Sequence, residues 1–244
     1  EGLRKVFKKL RTLQKKTNEF DKSQVIVEGF MEGTMYSVDA YVNSKGKVLF
    51  CPMVYIKTGQ EIGFDDFFNY LRITPTQLSA KSIAQAQFVS KKSIHALGLR
   101  NTTAHIELMR TEDGWKVIEV GARMGGFRQE LYLLSTGMHH RLNDMLIHMN
   151  KKPVIPKEPP AYAAALKFYG KTEGFLGAVK GSKKIQSLDS FVTLRQYKKI
   201  GDRCKFAKHG DTPVLDVVLK NADRSQLLAD IRRVEKTINI VIDK

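Results

Sequence analysis

Apolar and polar residues change period several times along this chain, and each change marks an element. Leu3, Val6, Phe7, Leu10 and Leu13 recur at helical spacing, which predicts an amphipathic helix over residues 3–16 with a core-facing stripe. SQVIVEGF, residues 23–30, is an apolar run of buried-strand length, and Met31-Glu32-Gly33 turns it into the alternating strand TMYSVDAYV. Asn43-Ser44-Lys45-Gly46 then makes a turn into KVLFCPMVY. Thr74 reads as a helix cap with Pro75 in the first turn, and that helix runs through Leu78, Ile83, Phe88, Ile94 and Leu97 to a stop at Gly98. GARMGG leads into helical FRQELYLL and, past Gly137, into HHRLNDMLIHM. Residues 25–150 therefore read as an antiparallel sheet with helices packed against it, an α+β arrangement.

Residues 151–160, KKPVIPKEPP, hold four of the seven prolines and form the clearest linker. The pattern restarts beyond it. AYAAALKFYG, GFLGAVKG, SFVTLRQYKKIG and TPVLDVVLK are strand-like, NADRSQLLADIRRVEKTIN is a helix capped by Asn221, and INIVIDK is a closing strand. Residues 161–244 thus form a smaller α+β subdomain.

Two alternating segments between these landmarks carry the chemistry. In TAHIELM, Ala104, Ile106 and Leu108 share one face while His105, Glu107 and Met109 share the other; in WKVIEVG, Trp115, Val117, Glu119 and Gly121 fall together. Glu112-Asp113-Gly114 between them reads as a three-residue hairpin loop that pairs Thr111 with Trp115 and sets Glu107 opposite Glu119. Like charges directly opposed on a sheet, with Cβ atoms about 5 Å apart, are destabilising. A shared proton, a neighbouring cation or a divalent metal compensates such a pair, and carboxylates with phosphates are the oxygen ligands Mg²⁺ prefers. Arg123 lies just past the strand carrying Glu119, which brings a guanidinium beside the same small volume, and Gly125-Gly126 permits a backbone that turns amides toward an anion.

Charge and cysteine content narrow the partners. The 244 residues carry 41 basic and 25 acidic side chains, a net charge of +16, which suits a nucleotide, a nucleic acid or an anionic surface. Seven of the basic residues fall in residues 3–16 with no acidic one, a solvated helix face or a polyanion contact. Cys51 and Cys204 form no metal-spaced or redox pair, and no apolar run is long enough to span a bilayer, in keeping with a cytoplasmic protein. AxxxxGKT, residues 165–172, is a near miss for a phosphate-binding loop, and it is rejected because a strand pattern rather than a helix follows it. His139 and His140 point about 100° apart on a helix, too divergent for one metal, and read as surface or helix-end residues. The chain begins with a helix already under way and no initiator methionine, which reads as the later part of a longer protein.

The block from Glu107 to Gly126 resembles the ATP-grasp superfamily of carboxylate–amine ligases, whose members carry two glutamates twelve residues apart on a hairpin followed by I-E-hydrophobic-N-x-R and often Gly-Gly. The resemblance implies that Glu107 and Glu119 hold Mg²⁺, or Mn²⁺ in its place, against ATP, and that Arg123, Gly125 and Gly126 form the phosphate and reacting-carboxylate loop. Gly121 stands where the family has a metal-binding asparagine, which bears on the number of metal ions. VIVEGFMEGTMYSVDAYV is similar to the family's adenine hinge, which implies Glu28, Gly29, Phe30 and Met31 beside the base, with Met35 where many members have a ribose-binding glutamate. Lys57 is implied as a phosphate contact, and His105 as a neighbour of Glu107 at the nucleotide site.

Residues 161–244 resemble the last subdomain of the branch with dipeptide ligases and carnosine synthase-like enzymes, and residues 1–24 a helical remnant of the small subdomain. The implied activity is ATP-dependent joining of a small carboxylate and an amine through an acyl phosphate, with a homodimer as the expected assembly and without membrane or nucleic acid. The upstream lysine and glycine-rich lid of the family are not in these residues. Two other readings stay open: a basic nucleic-acid or polyanion-binding module, and a degenerate protein that binds ATP without turnover.

Overall fold

Among the described residues nine strands, each paired antiparallel, make the main sheet, and helices of the same unit cover its two faces. The computed structural model describes residues 2–17, 26–64, 66–156 and 161–243. The chain divides into two units, Glu1–Met31 and Glu32–Lys244.

In the first unit the helical period of residues 3–16 gives α1 (Gly2–Thr17). Its stripe is not a core face: Leu3, Val6, Phe7 and Leu10 are exposed. Residues 26–30 form no strand, and Ile26, Val27 and Phe30 are exposed, so the expected buried strand is absent from the described part of 23–30; residues 23–25 lie outside the described residues. An apolar run becomes a buried strand only where a second layer receives it.

In the second unit β1 (Thr34–Val42) is central, pairing with β3 (Val54–Thr58) on one side, β5 (Thr102–Thr111) on the other, and the short β2 (Val48–Phe50) at its end. Beyond β5 comes β6 (Gly114–Gly121), and beyond β3 come β4 (Asn69–Thr74), β7 (Tyr162–Phe168), β11 (Leu215–Asn221) and β9 (Phe191–Gln196). The strand after the proline-rich segment thus continues the sheet begun before it, with Arg72 opposite Ala165 and Ile73 opposite Ala164. A smaller sheet holds β8 (Gly174–Lys180) between β10 (Arg203–Cys204) and β12 (Asn239–Asp243). The antiparallel sheet and flanking helices are the α+β class the periodicity predicts.

One face carries Tyr36, Val38 and Ala40 of β1, Ile106 and Leu108 of β5, and Leu71 and Ile73 of β4. It is covered by α2 (Ala80–Ala96) at one end and by α6 (Arg224–Thr237) at the other, where Leu227, Ile231 and Val234 pack. The opposite face receives α3 (Arg128–Thr136) and α4 (His140–His148), through Leu131, Tyr132, Met138 and Ile147 against Tyr41, Val54, Ala163 and Ala165. A one-turn helix, α5 (Ser182–Ile185), packs against α6, and Asn143 of α4 exchanges two hydrogen bonds with the backbone of Val154 in the linker. Two caps differ from expectation. Helix α2 starts at Ala80, with the Ser79 hydroxyl accepting from the Ser82 amide, because Thr74 is consumed as the buried end of β4, donating to the Met53 carbonyl. Asp223, not Asn221, caps α6, since its carboxylate accepts from both Ser225 and Gln226. Residues 169–173 turn into β8, as the rejection of a phosphate-binding loop requires.

The hairpin of β5 and β6 reaches the expected pairing by another route. Its loop is shorter than expected, with Thr111 opposite Gly114, and that register alone would set Glu107 against Ile118. A β-bulge at this point takes up Ile118 as an extra residue, so Glu107 does stand opposite Glu119. The bulge also switches faces: Trp115 and Val117 pack in the α2 core, whereas Glu119 turns to the α3 side, so these residues do not share a face as strict alternation implies. Deleting Ile118 joins Val117 to Glu119 and leaves both pairings in register; urea unfolding should show a loss below about 1 kcal/mol, against about 3–5 kcal/mol for Trp115→Ala. A loss as large as that of Trp115→Ala would mean the bulge itself holds the hairpin.

Candidate active site

Asp39 sits in the middle of β1 with no solvent exposure, and four groups converge on it. His105, its cross-strand partner on β5, approaches Oδ1 through Nδ1 at 2.6 Å. His140 Nε2 donates to Oδ2 at 2.8 Å, the Gly125 amide donates to Oδ2 at 2.9 Å, and Arg128 Nε lies 3.6 Å from Oδ1. With Nε2–H of His140 directed at Asp39, its Nδ1 accepts from the Tyr41 hydroxyl at 2.5 Å. Arg128, itself buried, donates to Ser37 Oγ at 2.5 Å and to the Gly126 carbonyl at 3.0 Å. Burial alone would raise the Asp39 carboxyl, but hydrogen bonds from His105 and His140 and the charge of Arg128 outweigh it and hold it well below the usual carboxylate range.

From this centre the network reaches the hairpin glutamates. His105 Nε2 lies 3.4 Å from Glu107 Oε1, so one imidazole bridges two carboxylates. Burial pulls the His105 ring down and its hydrogen bonds to Asp39 and Glu107 push it up, with a net rise. Glu107 is lowered, first by that histidine. Both ring nitrogens of His105 are engaged, which makes it a holder of Glu107 rather than a free ligand. Glu119 pairs with Arg123 at 3.4 Å across side chains 56% and 58% exposed, a contact too solvated to hold either group firmly. Each glutamate therefore has a cation of its own, and the two carboxylates remain opposed on one face. No group of three His, Cys, Asp or Glu residues suited to a metal occurs among the described residues, so phosphate or water oxygens would have to complete any coordination sphere.

The loop after β6 is built for closeness. A Cβ on Gly125 would come 2.5 Å from His105 Nδ1, so only glycine lets this backbone touch the network. Its amide donates to a carboxylate of the chain itself, that of Asp39. Gly126 has open space where a Cβ would stand, and a Cβ at Gly121 would meet the Arg123 side chain at an ordinary 3.4 Å. Phe127, at φ 63°, turns the chain into α3. Glu130, one turn on, receives two hydrogen bonds from Arg195 of β9, whose Nε also donates to the buried Asp216 of β11 at 2.9 Å.

Lys57 is not part of this cluster. Alternation along β3 puts Lys57 on the face away from Glu107, where it lines a cavity of about 310 Å³ with Phe64, Tyr70, Tyr169 and Glu235. Glu28, Gly29, Phe30 and Met31 belong to the first unit. His139 and His140 stand at the start of α4, as the helix-end reading has it, but His140 is fully buried and part of the Asp39 network, a role that reading did not give it. Asp39, Ser37 and Arg128 were not among the expected site residues. The available signal was Ser37 and Asp39 two apart in an otherwise apolar strand, hence on one buried face and in need of partners. No helix among the described residues is long and apolar enough to cross a membrane.

Removing the charge of Asp39 leaves Arg128 buried beside two histidines, so Asp39→Asn should cost about 3–5 kcal/mol in chemical denaturation. The pH profile follows from the signs. Asp39 is held low, so its contribution is complete above about pH 4 and is lost below; His105 is held high, so its contribution is complete below about pH 6.5 and is lost above. Wild-type stability should fall away on both sides of that window, and Asp39→Asn should flatten both limbs; an unchanged profile would deny the network this role.

The model of the ATP-grasp domain matches residues 1–130. Among solved structures the chain is similar to an L-amino acid ligase from Bacillus licheniformis, at 19% identity and a TM-score of 0.75, over 88% of this chain and 53% of that one. It is also similar to a phosphoribosylglycinamide synthetase from Anaerococcus prevotii, at 18% identity and a TM-score of 0.70, over 93% and 58% of the two chains. An N5-carboxyaminoimidazole ribonucleotide synthetase from Thermotoga maritima aligns at 18% identity and a TM-score of 0.65, over 89% and 57%. The chain thus spans little more than half the length of these proteins. No curated protein sequence matches it. The similarity in structure is one of fold, and the family model covers more than half of the residues: this chain belongs to the ATP-grasp domain family.

Proposed function

We propose that this chain carries the catalytic portion of an ATP- and Mg²⁺-dependent ligase that joins a small carboxylate to an amine. The observation that carries the reading is Glu107 opposite Glu119 on one sheet face with Arg123 at the strand end. Opposed carboxylates are a liability that a divalent cation converts into a site, and both oxygen sets suit Mg²⁺. When bound, Mg²⁺ (or Mn²⁺) would neutralise charge on the ATP phosphates during transfer.

The chain's own residues have separate tasks in this reading. Glu107, fixed through His105 to Asp39, is the rigid ligand; Glu119, held only by an exposed arginine, is the adjustable one. Arg123 leaves Glu119 to meet phosphate or the reacting carboxylate, and Gly125 and Gly126 keep the approach free of side chains. The carboxylate attacks the γ-phosphorus with loss of ADP, and the amine then displaces phosphate from the acyl phosphate, so no side-chain nucleophile is required. Glu28, Gly29, Phe30 and Met31 are assigned to the adenine. Residues 25–150 form the catalytic subdomain, 1–24 a remnant of the small subdomain and 161–244 the closing subdomain; the setting is the cytoplasm.

ATP with Mg²⁺ should raise the melting temperature, in line with about 2.7 kcal/mol of stabilisation at one hundred times the dissociation constant. Glu107→Gln and Glu119→Gln should each abolish the Mg²⁺-dependent part of that rise, and equal rises in all three proteins would dispose of the metal assignment. A second measurement uses the departure at Gly121. A Cβ at this position meets nothing closer than 3.4 Å and Asn would supply the missing oxygen donor, so Gly121→Asn should lower the Mg²⁺ concentration needed by about tenfold, or about 1.4 kcal/mol. No change would show that the side chain at position 121 does not reach the metal.

A further inference from the structure

On the sheet face turned away from the Asp39 network, α2 covers one end and α6 the other, and the seam between them holds a cavity of about 250 Å³. Tyr36, Tyr55 and Ile73 form its floor, from β1, β3 and β4. Thr76 in the segment leading into α2, Arg224 at the start of α6 and Arg110 of β5 stand around it. All of these residues belong to the second unit. Arg110 is two residues beyond Leu108, so it leaves the sheet on this face, whereas Glu107 leaves on the other.

The lining contains two arginines and no acidic residue. Among the described residues neither guanidinium has an ion-pair or hydrogen-bond partner, and the side-chain oxygens of Thr76, Tyr36 and Tyr55 have none either. Carboxylates close by in the chain are engaged elsewhere. Asp223, next to Arg224, caps α6 through the Ser225 and Gln226 amides. Glu61, whose charge acts on Tyr55, accepts from the amide and hydroxyl of Thr58. Glu112, two residues past Arg110 in the hairpin turn, makes no ion pair with it. Two polar atoms of the seam, Arg224 Nε and Thr76 Oγ1, are moreover sealed from water with nothing to bond. Orphans of this kind are costly, and a guanidinium beside a cavity finds its partner in whatever anion enters.

A guanidinium is a planar fork that matches phosphate oxygens two at a time, and two forks about one cavity suit the double charge of a phosphate better than the single charge of a carboxylate. The rings of Tyr36 and Tyr55, edge to face with centroids 5.8 Å apart, and the Ile73 side chain give an apolar wall to the rest of a small molecule. We propose that this seam is a second anion site, which binds the phosphate group of a small phosphorylated molecule between Arg110 and Arg224. As the phosphate draws the Arg224 fork toward the cavity, Nε–H turns with it onto a phosphate oxygen. The sheet itself separates this site from Glu107 and Glu119, so it is no part of the nucleotide site proposed above and does not rest on the ligase reading.

The full chain is titrated calorimetrically with inorganic phosphate and, at the same ionic strength, with sodium acetate, in the absence of Mg²⁺ and nucleotide. The titrations are made in wild type and in Arg123→Gln, which removes the phosphate contact of the proposed nucleotide site. Saturable phosphate binding is expected in both, with acetate at least about tenfold weaker. Adding Arg110→Gln or Arg224→Gln should weaken phosphate about tenfold, and Arg203→Gln, at an exposed arginine elsewhere, should not change it. Arg110 is exposed, so Arg110→Gln should unfold at the wild-type urea concentration without phosphate and lose the rise in midpoint that phosphate gives wild type. Absence of saturable binding, acetate bound as tightly as phosphate, or phosphate binding that both seam variants leave intact overturns the site. So does phosphate binding that vanishes in Arg123→Gln, because the anion then sits on the glutamate face.

Discussion

A carboxylate with no access to water persists in a protein only when the surrounding groups replace all that water gave it, and Asp39 is that carboxylate here. Its partners come from β5, the loop after β6, α3 and α4, so satisfying one side chain fixes four pieces of chain relative to the central strand. The requirement is strict in position as well as charge. A histidine displaced by one residue along β5 would point into the apolar core with Ile106. Any side chain at position 125 would collide with His105.

A second clamp in the same first turn of α3 completes the frame. Arg195 ties Glu130 to Asp216, so the helix is tethered at its start by ionic contacts to two strands that are remote from β1. The loop 122–127 is thereby stretched between two buried aspartates, Asp39 and Asp216. Rigidity is therefore distributed unevenly: Glu107 is braced through His105, while the Glu119–Arg123 pair, exposed to solvent, is the part of the site with freedom to rearrange around a ligand.

What the sequence disclosed follows from which interactions are local. Alternation in β5 and the twelve-residue interval bring Glu107 and Glu119 together without knowledge of any other element, although the route involved a tighter turn and a bulge that alternation does not reveal. Local reading misplaced Thr74, because its hydroxyl is taken by Met53, 21 residues earlier, and misjudged His140, because its partner Asp39 is 101 residues away. Arg110 and Arg224 carried no signal of their own: each looks like a solvent-facing residue until α6 is placed beside the segment that leads into α2. The apolar stripe of α1 has the opposite lesson, since periodicity marks a face suited to burial and does not supply the surface that buries it.

The insertion of β7 between β4 and β11 also has a bearing on how such a chain diverges. Residues on either side of the proline-rich segment share hydrogen bonds in one sheet, so neither half is a free-standing module, and a cut at the linker would expose the β4 edge. Yet Glu107, Glu119 and Arg123 all precede that segment, while Arg195 and Asp216 follow it. Sequence drift in the later half is thus constrained both where the small residues Ala163 and Ala165 admit α3 and where Arg195 and the buried Asp216 hold Glu130. Residues on the Asp39 face of this one sheet thus come from both sides of the proline-rich segment.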